Sequence, residues 1–586
     1  MSTASDIVGR AQAALDRGDA FAAYDIAAED DGSGDPQLAY IRVLALARLG
    51  DWRSALAYYD SHGLDRRSDV DSLALKARLL KDKAFDSPAA ERSAILREAR
   101  DAYLAAFERT GQDFAAINAA SLSHMVGDEV AAQALAQALL DRSAGGRPTD
   151  YWQGATRAEA LAVLARFDEA RAALEHAAAL PDASAAARSS TFQQLRRLFA
   201  ASGAIDAAAI GHLLQPIRPR RVAHFCGHML RPDHDSEARL AAAVAELLHE
   251  EDVGMVFGAL ACGADLIIAE QALALGAELH VVFPFDRDDF VQQSVGDAWH
   301  GRFEHCANAA TGTYMASTMR FVHDDEQFAF GSRTAMGMAR LRAAQMHAET
   351  VQIAVCDEDS AAGVAGTAAD VASWQAAGGR TRRLSSMGIR RPARSAGTSG
   401  DANDRERRVL RVLVFADFQG FSRLPEPLIP QFWQTIMSGC ARALAPHAGA
   451  ILATNTWGDG LHLVLDRVEA AAAALLDLRE TLAGLDLAGL GIAGNAGMRI
   501  AAHSGSVYEM ADPVTGRLNF YGTEVSRAAR LEAVTPPGTV YVTEPMAAAI
   551  EMSCADLFRS RYVGRLSLPK NFGTERIYAL EKRQPG

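Results

Sequence analysis

Residues 386–408 carry proline, glycine, serine and alternating charges with no apolar periodicity. Such a stretch cannot bury enough surface to belong to a core, so it reads as a flexible linker, and the chain must fold as separate bodies on either side of it. At 586 residues the chain is too long for one core in any case, and three or four domains are expected. With 49% apolar and 23% charged residues it is a folding chain, not a largely disordered one. The 59 basic and 73 acidic side chains leave a formal charge of −14, which argues against a general nucleic-acid binder with a basic face. Six cysteines (Cys226, Cys262, Cys306, Cys356, Cys440, Cys554) are scattered without a C-x-x-C pair, so no zinc ribbon or disulfide framework is expected. The N-terminus has no apolar signal core, and no run of eighteen uncharged apolar residues occurs. A cytoplasmic protein with no membrane partner is the expectation.

Residues 1–212 are rich in Ala, Leu, Arg and Glu and poor in strand formers. Two phrases recur there at helix-turn-helix spacing, LARLGDWRSALAYYD from Leu46 and LARFDEARAALEHA from Leu164, with a weaker echo, LDRGDAFAAYDIA, from Leu15. The segment resembles tetratricopeptide-type helical repeats, although the spacing is irregular; an Ala-rich bundle without repeats is the alternative. An all-α interaction or sensing module with a protein partner is expected.

Residues 218–385 alternate strand and helix patterns. RVAHFCGHML reads as strand into loop, SEARLAAAVAELLHEE as an amphipathic helix, and GMVFGALACGADLIIAEQALALGAELHVVFPF as strand, Gly-rich turn, helix, strand. That order implies a parallel sheet, with ligands at the carboxyl ends of its strands. The residues GALACGADLIIAEQALALGAELHVVFPFDRDDF resemble the SLOG group of Rossmann-like domains. The resemblance implies a nucleotide-derived ligand lined by Gly227, Gly258, Gly263 and Asp265; the alternative is that these glycines only serve tight turns. His224 and His228 beside Cys226 read as core or loop residues, and Asp324, Asp325 and Glu326 as a solvated turn. Asp357, Glu358 and Asp359 follow a strand and are weaker site candidates. The linker arginines Arg390, Arg391 and Arg394 read as solvated.

After the linker, VLRVLVFAD reads as a buried strand ending in Asp417, followed by a turn through Gly420. Some forty residues on, AILATNTWGDGLHLVL reads as two short strands joined by Gly458-Asp459-Gly460. Two carboxylates at neighbouring strand tips suit a pair of Mg²⁺ or Mn²⁺ ions, although each alone is ordinary turn chemistry.

The ordered series F-x-D-x-x-G-F, the G-D hairpin, MRIAAHSG, YGTEVSRAARL and PPGTVYVT resembles the catalytic domain of class III adenylate/guanylate cyclases across 409–582. The resemblance implies an α+β, ferredoxin-like fold that makes a 3′,5′-cyclic nucleotide and pyrophosphate from a nucleoside triphosphate. By it, Asp417 and Asp459 hold two Mg²⁺ or Mn²⁺ ions, Arg530 meets the phosphoryl oxygens and Ser526 the ribose. Phe418, Gly420 and Phe421 line the substrate, Lys570 reaches the terminal phosphates, and Asn455 and Asn519 read the base. Two copies form a head-to-tail homodimer. Adenylate cyclases carry Lys and guanylate cyclases Glu where this chain has Asn455, and the helix Asn of the family is Ser526 here. Amides both donate and accept, so base choice stays open: ATP is the first expectation, with GTP, CTP and UTP open. His503 reads as structural.

The chain is thus expected to be multidomain: an all-α repeat region (1–212), a Rossmann-like parallel-sheet domain (218–385), a linker and a cyclase domain (409–582). Such a set of domains fits a signalling protein, an antiphage one included. The alternative is a cyclase-fold nucleotide sensor without turnover, regulated through the N-terminal domains.

Overall fold

The structure is a computed structural model that describes residues 4–29, 35–67, 69–143, 146–202, 206–357, 363–386, 388–389, 408–487 and 496–583. Glu358, Asp359, Arg390, Arg391 and Arg394 lie outside the described residues. Two compact units divide the chain, Met1–Pro219 with Gln345–Ala348 and Gln584–Gly586, and Arg220–Ala344 with Glu349–Arg583.

The first unit is helical throughout its described length, from Ala4–Asp16 to Ala207–Leu214. Its turns repeat a device. Gly18, Gly50 and Gly127 adopt positive φ (82°, 79° and 84°), and the Asp that follows each accepts a hydrogen bond from a backbone N–H three residues on. The amides of Asp19, Asp51 and Asp128 each donate 2.9 Å back to a carbonyl five residues earlier, closing the preceding helix. Glycine there ends one helix without strain while Asp caps the next. Ala165 (φ 57°) and Arg166 repeat the turn without the capping carboxylate. The turn at Gly127 belongs to the same series and went unrecognised in the sequence.

The second unit has two lobes. In the first, β1 (Arg221–Gly227), β2 (Val253–Gly258), β3 (Glu278–Phe283), β4 (Gly312–Met315), β5 (Thr350–Val355) and β6 (Thr381–Leu384) form a parallel sheet ordered β4-β3-β2-β1-β5-β6. Their near-continuous apolar runs reflect helices covering both faces, and the strand order reverses at β1. Ile389 is buried in this core, so the lobe continues past residue 385.

In the second lobe, β7 (Arg408–Gln419), β8 (Ile451–Trp457), β9 (Gly460–Leu465), β10 (Gly497–Ala511), β11 (Leu518–Tyr521), β12 (Val540–Thr543), β13 (Phe558–Leu568) and β14 (Gly573–Lys582) form one mixed sheet. Its order is β13-β14-β12-β10-β7-β9-β8, with β11 on β10; β10 and β12 are parallel. Strand β7 starts at Arg408, so the linker read as 386–408 is shorter at both ends. Helix Thr523–Glu532 packs on the sheet face carrying Leu413 and Val464, through Ala528 and Val525.

The two lobes meet closely. Gly337 on helix Asp325–Met346 lies where any Cβ would overlap the backbone of Ala548 on helix Glu544–Ser553.

Candidate functional site

Strand pairing builds the site. Ala416 on β7 pairs with Leu461 on β9, and one residue on, Asp417 stands beside Gly460 and opposite Arg499 on β10. The β8–β9 hairpin, with Gly458 at φ 59°, brings Asp459 to the same place. Burial pushes the Asp459 carboxyl above its ordinary value, and the charge of Asp417 beside it adds to the shift, while the backbone amide of Phe418 holds it down. Two like charges held together at a strand end form an oxygen-donor pair that a divalent cation satisfies, so the residues fit the expected Mg²⁺ or Mn²⁺.

Two further residues belong here that sequence reading did not single out. Arg499 donates to Asp417 at 2.5 Å, and its Nε lies 2.8 Å from Glu532 at the end of helix Thr523–Glu532. Burial lifts the Glu532 carboxyl to about 7; Arg499 opposes this, and Asp417 and Asp459 reinforce it. Arg499 stands four residues before His503 in MRIAAHSG, and its partner is fixed only by the β7–β10 register.

On the same face, Phe415, His462 and Asn455 line up across β7, β9 and β8 by register. Phe415 stacks on His462 at 4.5 Å, and Trp457, 59% exposed at the hairpin, lies 6.3 Å from Phe415. Burial lowers His462 to about 4, so it is neutral near pH 7; its Nε2 is buried without a hydrogen-bond partner. Asn455 is exposed beside it.

The other expected residues divide. Ser526 is exposed on its helix, and one turn on, Arg530 has a buried Nε with no hydrogen-bond partner. Lys570 is exposed in the β13–β14 turn with φ 61°, followed by Asn571 at 57°. Gly420, at φ 104°, turns the chain after β7, a conformation that favours glycine. Phe421 packs its ring on Phe432 at 4.9 Å. The Phe418 ring is buried against Phe432, and its backbone amide is the part of the residue that meets the Asp459 carboxyl. Asn519 lies on β11 opposite Met510, at the far end of β10 from Arg499. Its amide is already engaged, with Nδ2 3.2 Å from the Tyr521 hydroxyl and Oδ1 accepting from the Phe520 amide. Among the described residues no hydrogen bond or ion pair joins the Asp417–Asp459 end to Ser526, Arg530, Asn519 or Lys570.

In the parallel-sheet lobe, the chain's own atoms crowd the glycines. A Cβ at Gly227 would overlap Ala264, one at Gly263 (φ 91°) would overlap Leu230, and one at Gly258 would come 2.7 Å from the Phe225 carbonyl. Close strand, turn and helix packing thus accounts for all three. Asp265 is 7% exposed, with one carboxylate oxygen accepting from the Ala261 amide and the other buried without a partner; burial raises it well above its ordinary value. Asp357 accepts from Ser385 and Ser386. His224 is buried and hydrogen-bonded to Gln352. His503 is buried between Thr543 and Glu524, which bears out its structural reading.

Residues 12–123 match the family model described as Tetratricopeptide Repeats-Sensor. No curated protein matches the chain. Among solved structures, the adenylyl cyclase CyaB of P. aeruginosa is similar at 17% identity, covering 31% of this chain and 98% of that one, with a TM-score of 0.27. The guanylate cyclase domain of RhGC from Catenaria anguillulae, solved with GTP, matches at 16% identity over 30% and 97%, TM-score 0.26. Adenylate cyclases of Trypanosoma brucei in a monomeric state match at 19% identity over 29% and 89%, TM-score 0.26. No described helix is long and apolar enough to cross a membrane.

Proposed function

We propose that this chain is a nucleotidyl cyclase, converting a nucleoside triphosphate to a 3′,5′-cyclic nucleotide and pyrophosphate. The observation that carries this reading is the adjacent Asp417–Asp459 carboxyl pair, together with an arginine, Arg530, whose buried Nε has no partner. In the reaction the ribose 3′-oxygen bonds to the α-phosphorus, the bond from that phosphorus to the leaving pyrophosphate breaks, and the 3′-hydroxyl proton is lost. Asp417 and Asp459 would hold Mg²⁺ or Mn²⁺, which supplies Lewis-acid polarisation and charge neutralisation. Arg530 donates to phosphoryl oxygens as their charge grows, so it favours the transition state over the bound substrate. Ser526 donates to the ribose, and Lys570, on an exposed turn, reaches the terminal phosphates. Asn455 faces the base; Asn519 is tied to Phe520 and Tyr521 and contributes less to base choice. Asn519 and the carboxylates stand at opposite ends of β10, which supports a site completed by a second copy in a head-to-tail dimer.

The parallel-sheet lobe is proposed to take a nucleotide-derived ligand where the strand order reverses, at the ends of β1 and β5 near Asp265. The helical unit is proposed to take a protein partner, which makes the chain a cytoplasmic signalling protein. A second reading, a nucleotide sensor without turnover, is favoured by one observation: Arg499 already neutralises Asp417.

Incubating the full chain with Mn²⁺ or Mg²⁺ and each of ATP, GTP, CTP and UTP, with products identified by mass, separates the two. A cyclic monophosphate from one nucleotide, absent with Asp417→Ala, supports the cyclase. Nucleotide binding without product supports the sensor.

A further inference from the structure

The segment that leaves β4 at the edge of the parallel sheet runs directly onto the helix that carries Ser526 and Arg530. Ser317 donates to Glu524 at 2.5 Å, and Thr318 accepts from Arg527 at 3.1 Å. Glu524 is 1% exposed; its other oxygen accepts from His503 at 2.8 Å and pairs with Arg527 at 3.1 Å. Arg527 pairs in turn with Glu575 at 3.2 Å, and His503 is held by Thr543 at 2.7 Å. On either side, Arg576 lies over the Tyr314 ring at 5.1 Å, and Arg408 reaches the Met319 sulfur at 3.5 Å.

Glu524 and Arg527 belong to the first half of helix Thr523–Glu532, with Ser526 between them and Arg530 one turn on. The helix has no side-chain cap at its N-terminus, so its anchoring there comes from Glu524 below the cap position. A buried carboxylate can accept from a serine of another lobe only while the two oxygens stay within a few tenths of an ångström of hydrogen-bond distance. A shift of the β4 edge is therefore transmitted to the helix, or else leaves a buried charge short of a donor, which is costly.

We infer that the segment Tyr314–Met319 is a positioning element for helix Thr523–Glu532: through Ser317 on Glu524 and Thr318 on Arg527, the parallel-sheet lobe sets where Ser526 and Arg530 stand. The contact itself depends on the structure alone, and its consequence for turnover rests on the cyclase reading above. Ser317 and Thr318 are positioning residues, since they act through Glu524 and Arg527 and not on substrate.

The test uses the full chain with Ser317→Ala/Thr318→Val and, as the conservative variant, Ser317→Thr. Amide hydrogen exchange is followed over residues 523–532, and Mn²⁺-dependent turnover is resolved into kcat and KM. In the double variant we expect faster exchange confined to 523–532 and a kcat about tenfold lower, with KM little changed; Ser317→Thr should restore both. Unchanged exchange over 523–532 overturns the inference. So does exchange raised equally across β10, β12 and β14, which is what a merely structural contact would give. If the unaltered protein turns over no nucleotide, the cyclase reading fails separately and the exchange result alone decides this one.

Discussion

Arg499 on β10 and Asp417 on β7 face each other across the central strand pair with their side chains 2.5 Å apart. One guanidinium thereby balances the carboxylates of Asp417 and Glu532 at the end where Asp459 also arrives. A divalent cation and Arg499 are alternative partners for the same negative charge. Arg499→Gln is expected to destabilise the metal-free protein by about 1–2 kcal/mol, because carboxylates lose a paired donor. It should also enlarge the rise in Tm on adding Mn²⁺. Thermal unfolding with and without Mn²⁺ checks this; an equal rise in both proteins would count against the shared site.

Arg530→Ala should lower turnover about 10²–10³-fold with smaller change in KM, as expected for a donor used chiefly in the transition state. Mixing equal amounts of Arg530→Ala and Asp417→Ala tests the two-chain site. Half of the randomly formed dimers are mixed, each with one intact site of two, so about a quarter of normal activity should return. No recovery on mixing would mean that one chain supplies both halves.

Glu524 sets an acid limit. Burial alone would raise its carboxyl, but Arg527, His503 and Ser317 more than offset this and hold it at about 2, against an ordinary 4.5. A depressed folded pKa contributes stability that is complete above about 4.5 and is lost as pH falls towards 2. The difference in urea midpoint between the unaltered protein and Glu524→Gln should therefore be widest near neutral pH and narrow below about 4.5. A pH-independent gap would show that packing, not charge, is the contribution.

Asp370 works in the opposite sense. It is buried on helix Thr367–Ala376 and accepts from Ser332 at 3.1 Å, and burial lifts it to about 7 from 3.8. The folded state then binds the proton more tightly, so stability falls as pH rises from about 4 through 7. Asp370→Asn should raise Tm relative to the unaltered protein at pH 8, and the gain should vanish towards pH 4. A gain of equal size at both ends of the range would contradict the assignment.

Gly263→Ala joins a left-handed backbone, φ 91°, to an overlap with Leu230. A cost of about 2–4 kcal/mol is expected, read as a lower denaturant midpoint. A neutral substitution would show that this turn can open.

Much of the lobe carrying Asp417 was legible because its signals are local. The apolar run into Asp417 and the hairpin residues Trp457-Gly458-Asp459-Gly460 each announce their own conformation within a few positions, and β7, β8 and β9 form there. The helical turns were legible at Gly18 and Gly50 for the same reason, and missed at Gly127 only because the surrounding phrase is less alike. The glycines of the parallel-sheet lobe were visible as glycines, but their use was not: a residue number does not say that Ala264 or Phe225 fills the space beside it.

What the sequence determined by itself is the set of elements and the carboxylates, arginine and amides they carry, because helix periodicity, strand runs and turn chemistry act over a few residues. What only the tertiary structure decided is which of those groups meet. Arg499 finds Asp417 across 82 positions by strand register, and Ser317 finds Glu524 across 207 by the packing of one lobe on another. No local pattern encodes such meetings, because they are selected by the burial of whole faces, and a buried charge takes whatever donor that packing brings within reach.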